Sequence, residues 1–223
     1  KAFYGKNLGI EPLFDDYLIG RNYPFTQGKT DFMALFESIL KTIISKDLVL
    51  TGKATPEESF ELEKILKFIG LSQAEDIGYT TIAKNTGITK YKVQKYAGLL
   101  EQAFVLKQIF PKGTNVLREP KILFTLPYRL LYKSYPECIG ALREDFFTDA
   151  LNAMDLEANY LKSKRGEKSP DYLVKNMLFE IGGVSKTSEQ FKGFQTKTLP
   201  LILTHPGRFE KLKRPLSLIG MLY

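Results

Sequence analysis

The stretch YTTIAKNTGITKYKVQKYAGLL, residues 79–100, has the spacing of two helices that meet at a tight turn. Ala83 stands where the two helices must approach closely, and Gly87, four residues later, stands where the turn needs a positive φ. Val93 faces back into the core from the second helix, and Thr89 caps that helix. The apolar set is completed by Ile82, Ile88, Tyr96 and either Leu99 or Leu100. This spacing predicts a helix-turn-helix.

The segments on either side of this motif extend the prediction. TPEESFELEKILKFIG (55–70) reads as a helix, with Thr55 as its N-cap and Pro56 at its first position. FVLKQIF (104–110) and KILFTL (121–126) read as strands on either side of a Pro-Lys-Gly-Thr-Asn loop. A helix-turn-helix followed by two such strands predicts a winged helix.

The exposed face of the second helix carries side chains that can contact DNA. Its lysines could contact phosphates, and Gln94 or Tyr91 could reach a base edge. Lys112 and Arg118 lie in or beside the predicted wing. The predicted DNA-binding residues are Lys90, Tyr91, Lys92, Gln94, Lys95, Lys112 and Arg118. The alternative is a solvated face on a domain that packs against its own neighbours.

Composition narrows the class of protein. The net charge of +7 and the pI of about 9.2 favour an acidic partner, most often nucleic acid. With Cys138 as the one cysteine and His205 as the one histidine, a zinc site built on several Cys or His ligands is excluded within one chain. The cysteine count predicts a cytoplasmic protein without a disulfide framework. No apolar run is long enough for a membrane span, so no membrane partner is expected.

A second motif, SPDYLVKNMLFEIGG (169–183), places two carboxylates on what read as neighbouring strands. Asp171 and Glu180 offer the hard oxygen ligands that Mg²⁺ prefers. Glu144, in a helix predicted at about 141–153, adds a third carboxylate. This order resembles the PD-(D/E)xK nuclease core, in which a lysine two residues after the strand glutamate orients or deprotonates the attacking water. That place is Gly182 here.

The missing lysine leaves two alternatives open. Lys186 or Lys192, on a helix predicted at about 186–195, could reach in and replace it, which makes Glu144, Asp171, Glu180, Lys186 and Lys192 the candidate catalytic residues. Asp171 and Glu180 are then the predicted metal ligands. In the other interpretation, Asp171 sits in a turn, Glu180 lies on a solvated strand face, and neither has a catalytic role.

The order of these segments resembles a family of prokaryotic AAA+ superfamily ATPases. Members end in a winged helix and a C-terminal domain of unknown function that is related to PD-(D/E)xK nucleases. The segments that carry the resemblance are FDDYLIGRNYPF (14–25), ILKTIISKDL (39–48), residues 79–106, LREDFFTDAL (142–151), SPDYLV (169–174), LFEIGG (178–183) and LPLILTHPG (199–207). Gly182 departs from the family's common lysine.

The resemblance implies that this chain is the C-terminal part of a longer protein. An ATPase module that binds ATP would lie upstream in the same protein and would be a partner of this part. Within the chain, Gly28-Lys29-Thr30 looks like the end of a phosphate-binding loop. Tyr23 occupies the place where that motif needs a glycine, so no nucleotide site is expected here.

The sequence therefore predicts an α+β chain in three parts. These are a helical segment (1–54), a winged helix-turn-helix (55–127) and a nuclease-like α/β domain (128–223). The leading hypothesis is a module that binds DNA or positions a substrate through the winged helix, with an inactive nuclease-like domain. The alternatives are a Mg²⁺-dependent DNA nuclease with a relocated lysine, and a protein-interaction module.

Overall fold

A computed structural model of the chain describes residues 9–72, 77–113, 119–161, 169–194 and 198–221. Among the described residues, the α-helices longer than one turn are α1 (Ile10–Leu18), α2 (Met33–Thr42), α3 (Pro56–Leu71), α4 (Tyr79–Thr86), α5 (Lys90–Gln102) and α6 (Tyr135–Ala153). The strands are β1 (Leu106–Ile109), β2 (Lys121–Phe124), β3 (Ala158–Tyr160), β4 (Tyr172–Val174), β5 (Met177–Gly182), β6 (Leu201–Thr204) and β7 (Lys213–Pro215). This mixture of helix and sheet confirms the α+β class.

The chain divides into two compact units. The helical unit comprises Ile19–Gln108 and Glu119–Ile139, and the sheet unit comprises Lys1–Leu18, Ile109–Arg118 and Gly140–Tyr223. The helical unit joins residues of the first predicted segment to the predicted helix-turn-helix, because side chains of α2 and α5 share one core. The three-domain division stays a prediction.

The helical unit is built on α3, α4 and α5. α3 begins with a capping box: Thr55 Oγ1 accepts the Glu58 N–H at 3.3 Å, and Glu58 Oε2 accepts the Thr55 N–H at 3.0 Å. Gly87 ends α4 with φ of 70°, and Thr89 caps α5 by accepting the Lys92 N–H. The N-cap and turn residues predicted for these helices are therefore confirmed. Fully buried core side chains are Leu62, Ile65, Leu66, Ile69, Ile82, Val93, Tyr96 and Leu100.

The sheet unit contains a five-stranded sheet in the order β3-β4-β5-β6-β7. β3, β4 and β5 pair antiparallel, whereas β5-β6 and β6-β7 pair parallel. The Phe147 ring of α6 packs on the rings of Tyr172 and Phe179, so α6 covers one face of the sheet. Leu173 and Leu178 point to the other face and pack with Ile202. β5 is therefore the central strand.

Two predictions about helices were wrong, and one helix within the predicted helical segment (1–54) had no prediction of its own. α1 was not predicted, although Ile10, Phe14 and Leu18 are buried at helical spacing. α6 begins at Tyr135 rather than near 141, because the Ser134 N–H is accepted by Glu137 at 3.0 Å one turn into the helix. The helix predicted at about 186–195 is only the 3₁₀ turn Ser188–Phe191 within the described residues.

Candidate functional site

The three predicted carboxylates lie in the sheet unit on three different elements. Glu180 is on the central strand β5, Asp171 precedes β4, and Glu144 is on α6. The charges of Glu144 and Glu180 both act on the pKa of Asp171, so the fold brings the three groups into one electrostatic cluster. We call Glu144, Asp171, Glu180 and Lys186 the carboxylate–lysine cluster.

Asp171 is held by the backbone of the neighbouring strand. The Ile181 N–H donates to Asp171 Oδ2 at 2.7 Å. Burial, and then the negative charges of Glu144 and Glu180, raise the pKa of Asp171 to about 7. Asp171 lies at a bend just before β4, where its side chain is partly buried.

Glu180 is 1% exposed on a strand that is paired on both sides. Its Oε1 accepts a hydrogen bond from the Lys186 ammonium. Its Oε2 is buried and has no hydrogen-bond partner among the described residues. Burial raises the pKa of Glu180, against the opposing effect of Lys186. The prediction that Glu180 lies on a solvated strand face is therefore wrong.

Lys186 lies where the side chain of residue 182 would be. A Cβ added to Gly182 would come within 2.6 Å of Lys186 Cε and 2.7 Å of its Cγ. The absence of a side chain at Gly182 is thus what lets the lysine stem cross the end of β5 and reach Glu180. Burial acts to lower the pKa of Lys186, but the hydrogen bond to Glu180 and the surrounding carboxylates outweigh it and raise the pKa.

The other candidate lysine is in a different place. The Lys192 side chain is exposed, just past the 3₁₀ turn Ser188–Phe191. The described contacts bring Lys186, not Lys192, to the carboxylates.

Tyr172 is a member of the site that sequence reasoning missed. Its hydroxyl donates to Glu144 Oε2 at 2.5 Å, and the ring is fully buried. Burial, and then the charge of Glu144, raise the pKa of Tyr172 well above its ordinary range. The tyrosine therefore stays protonated and fixes the direction of the Glu144 carboxylate. Only its place directly after Asp171 in the sequence signalled this role.

The carboxylate–lysine cluster has the oxygen ligands that a divalent metal prefers, but its side chains do not converge as they do around a bound metal. Asp171 and Glu180 supply hard oxygens, and the unpartnered Glu180 Oε2 is a buried acceptor of the kind that a cation would satisfy. Within the described ranges, however, no three His, Cys, Asp or Glu side chains are arranged to hold a metal. One oxygen each of Glu144, Asp171 and Glu180 accepts a hydrogen bond from a donor of the protein itself.

The predicted DNA-binding face of α5 is part of the helical unit. Lys92 pairs with Glu61 at 2.8 Å and Lys95 with Glu58 at 2.8 Å. Lys90 pairs with Glu119. Hydrogen bonds from Lys92 and Lys95 are the largest influences that lower the pKa values of Glu61 and Glu58.

The other predicted DNA-binding side chains within the described residues are exposed to solvent. The Tyr91 side chain is 80% exposed, and Gln94 is exposed one turn further along α5. Lys112 is exposed and belongs to the sheet unit, where its N–H donates to Tyr160 O at 3.2 Å. Arg118 lies outside the described residues.

Comparison with known proteins gives one match. The model of a family described as a domain of unknown function (DUF8612) matches residues 22–125, mainly the helical unit. Neither a curated protein nor a solved structure matches the chain. In the described part of the chain, no helix has the length and apolar character needed to cross a membrane.

Proposed function

We propose that the chain carries a Mg²⁺-dependent site that hydrolyses DNA phosphodiester bonds, with Lys186 in the role of the lysine that is missing at position 182. The observation that carries the proposal is the path of Lys186 over Gly182 to the buried Glu180 carboxylate. The Glu180 side chain is 1% exposed, whereas the Lys186 side chain that reaches it keeps 35% of its exposure. The order of α6, β4, β5 and β6 around the cluster supports a nuclease-like fold for the sheet unit.

The roles of the residues follow from their surroundings. Asp171 and Glu180 would hold the cation, which would supply Lewis-acid stabilisation of the charge that develops on the phosphate. The pKa of Lys186 is raised, so it stays protonated at neutral pH. We therefore assign Lys186 the role of a hydrogen-bond donor that orients the attacking water, not that of a general base. Glu144, fixed by Tyr172, supplies the third carboxylate.

The test is DNA cutting by the full chain with Mg²⁺ or Mn²⁺. Lys186→Ala is compared with Lys192→Ala, which removes an exposed lysine a few residues away. We expect cutting to fall by about 100-fold or more for Lys186→Ala and to stay unchanged for Lys192→Ala. Asp171→Asn should abolish it. Equal rates for the two lysine variants would overturn the role of Lys186.

A second candidate function is DNA binding or positioning by the helical unit. We propose that α3, α4 and α5 with β1 and β2 form a winged helix that presents α5 to duplex DNA. Support comes from the outward position of Tyr91 and Gln94. To contact DNA, Lys90, Lys92 and Lys95 would have to leave their present carboxylate partners and pair with phosphates instead. By its resemblance to AAA+ ATPases, the chain would then serve an upstream ATP-binding module in the cytoplasm of a prokaryote.

The second proposal predicts binding without any need for metal. Duplex DNA binding should weaken steeply as salt rises, since each phosphate contact releases counterions. Tyr91→Ala with Gln94→Ala should reduce the affinity without changing the salt dependence, because neither side chain carries charge. An affinity that is insensitive to salt would contradict phosphate contact by the lysines.

A further inference from the structure

α3 carries an exposed stripe that neither proposal uses. Phe60, Lys64, Lys67 and Leu71 recur at helical spacing along its outer side. The Phe60 side chain is 77% exposed and Leu71 is 49% exposed. The outer side of α3 therefore offers apolar contacts at its two ends and positive charge between them.

A cavity of about 310 Å³ opens at the C-terminal end of this stripe, between α3 and α4. Phe68 and Leu71 supply apolar wall, Lys64 and Lys67 stand on the α3 side, and Asn85 stands on the α4 side. The cavity therefore combines an apolar lining with cations and an amide, which suits a side chain or short segment that is partly apolar and partly acidic.

The lysines of this surface differ from those of α5 in their partners. Lys92 and Lys95 are paired with Glu61 and Glu58. Lys64 and Lys67 have no ion pair with any carboxylate in the described ranges, which omit residues 73–76. Within the described residues, the charge of Lys64 and Lys67 is not balanced by an ion pair, whereas the charge of Lys92 and Lys95 is.

We propose that this surface docks an acidic, amphipathic segment of a partner protein. Carboxylates of the segment pair with Lys64 and Lys67, and a large apolar side chain enters the cavity against Phe68 and Leu71. Phe60 extends the apolar contact at the other end of the stripe. The phosphates of duplex DNA could pair with the two lysines, but its backbone offers no apolar group to pack on the exposed Phe60 and Leu71. A protein segment can make both kinds of contact and is therefore the better match. This inference does not depend on the proposed DNA hydrolysis.

The test uses a fluorescent synthetic peptide in which Glu and Asp alternate with Leu and Phe at helical spacing. Binding to the full chain is followed by anisotropy. We expect Lys64→Glu with Lys67→Glu to weaken binding by about tenfold or more, and Phe60→Ala with Leu71→Ala to weaken it similarly. Lys46→Glu with Lys53→Glu, which makes the same change in charge elsewhere on the helical unit, should leave binding unchanged.

Thermal unfolding of each variant is measured alongside, and we expect these exposed substitutions to leave the fold intact. Two further peptides separate the contributions: one with its acids replaced by Gln and Asn, and one with its apolar residues replaced by Ala. Both should bind about tenfold more weakly or worse. No binding of the first peptide, equal loss in the Lys46 and Lys53 control, or equal binding of the alanine peptide would overturn the proposal. So would displacement of the peptide from this surface by duplex DNA at lower concentration than by unlabelled peptide.

Discussion

At the scale of single residues, the structure changes the interpretation of Gly182. In the sequence, Gly182 occupies the position where the resembling nuclease motif has a lysine. In the structure the space above its Cα is filled by the stem of Lys186, whose Cε lies 2.6 Å from where a Cβ would be. A larger residue at 182 and this path for Lys186 exclude each other. The glycine and the path of the Lys186 side chain therefore form one structural feature.

Asp171 gives a prediction about pH. Its pKa is raised from the ordinary 3.8 to about 7, so the folded protein keeps a proton that the unfolded chain has already released. In the metal-free protein, the contribution of Asp171 to the free energy of unfolding should therefore fall as pH rises from about 4 to about 7. Asp171→Asn removes this loss. The variant should match the wild type at low pH and exceed it above pH 7, by on the order of 4 kcal/mol.

Urea unfolding in the presence of a chelator, across this pH range, measures the difference. Asp31→Asn, which changes an exposed aspartate of the helical unit, is the matched control for the loss of one carboxylate. A wild type whose stability relative to Asp171→Asn rises with pH would contradict the assigned direction of the shift.

At the scale of elements, Gly87 in the turn between α4 and α5 can be compared with Gly98 inside α5. A Cβ would meet nothing within 4 Å at either Gly87 or Gly98, so only backbone conformation distinguishes them. Gly87 has φ of 70°, whereas Gly98 lies within α5. Gly87→Ala should destabilise the protein by about 1 kcal/mol, and Gly98→Ala should stabilise it by about 0.5–1 kcal/mol. Denaturant midpoints of the two variants should therefore shift in opposite directions; shifts of the same sign would contradict the turn geometry.

The ion pairs between α3 and α5 give a second prediction at this scale. Glu58→Gln with Glu61→Gln keeps acceptors for Thr55 and Tyr96 but removes the charges that hold Lys92 and Lys95. If α5 binds DNA, the double variant should bind more tightly, and the slope of log affinity against log salt should steepen by about 1–2.

The control for this experiment is Glu37→Gln with Glu63→Gln, which makes the same change in net charge at exposed positions of α2 and α3. Equal gains in both double variants would mean that only net charge matters. That outcome would contradict a specific role for the α5 face.

An element's ends could be predicted best where the cap and turn residues that determine them lie close together in the sequence. Thr55, Gly87 and Thr89 act within one turn of chain, so the sequence predicted their caps and turn correctly. The start of α6 was missed although Ser134 and Glu137 have capping-box spacing. The helix predicted at about 186–195 was wrong, since its local pattern supports no more than the 3₁₀ turn in the described residues.

At the scale of the whole molecule, the α+β class was predictable from the order of apolar patterns, and the grouping of segments was not. Contacts distant in sequence decide that residues 19–54 share a core with α3, α4 and α5. The same holds for the site. The sequence named Glu144, Asp171 and Glu180, but the choice between Lys186 and Lys192 and the role of Tyr172 depend on side-chain positions that spacing does not fix.

The central claim is that Lys186 has replaced a lysine at position 182, and a swap tests it most directly. Metal-dependent DNA cutting is measured for the wild type, for Lys186→Ala, and for Lys186→Ala combined with Gly182→Lys. The account predicts that the single variant loses about 100-fold or more and that the double variant recovers to within about tenfold of the wild type. A wild type that does not cut DNA, or a single variant as active as the wild type, would contradict it. So would a double variant no more active than the single one.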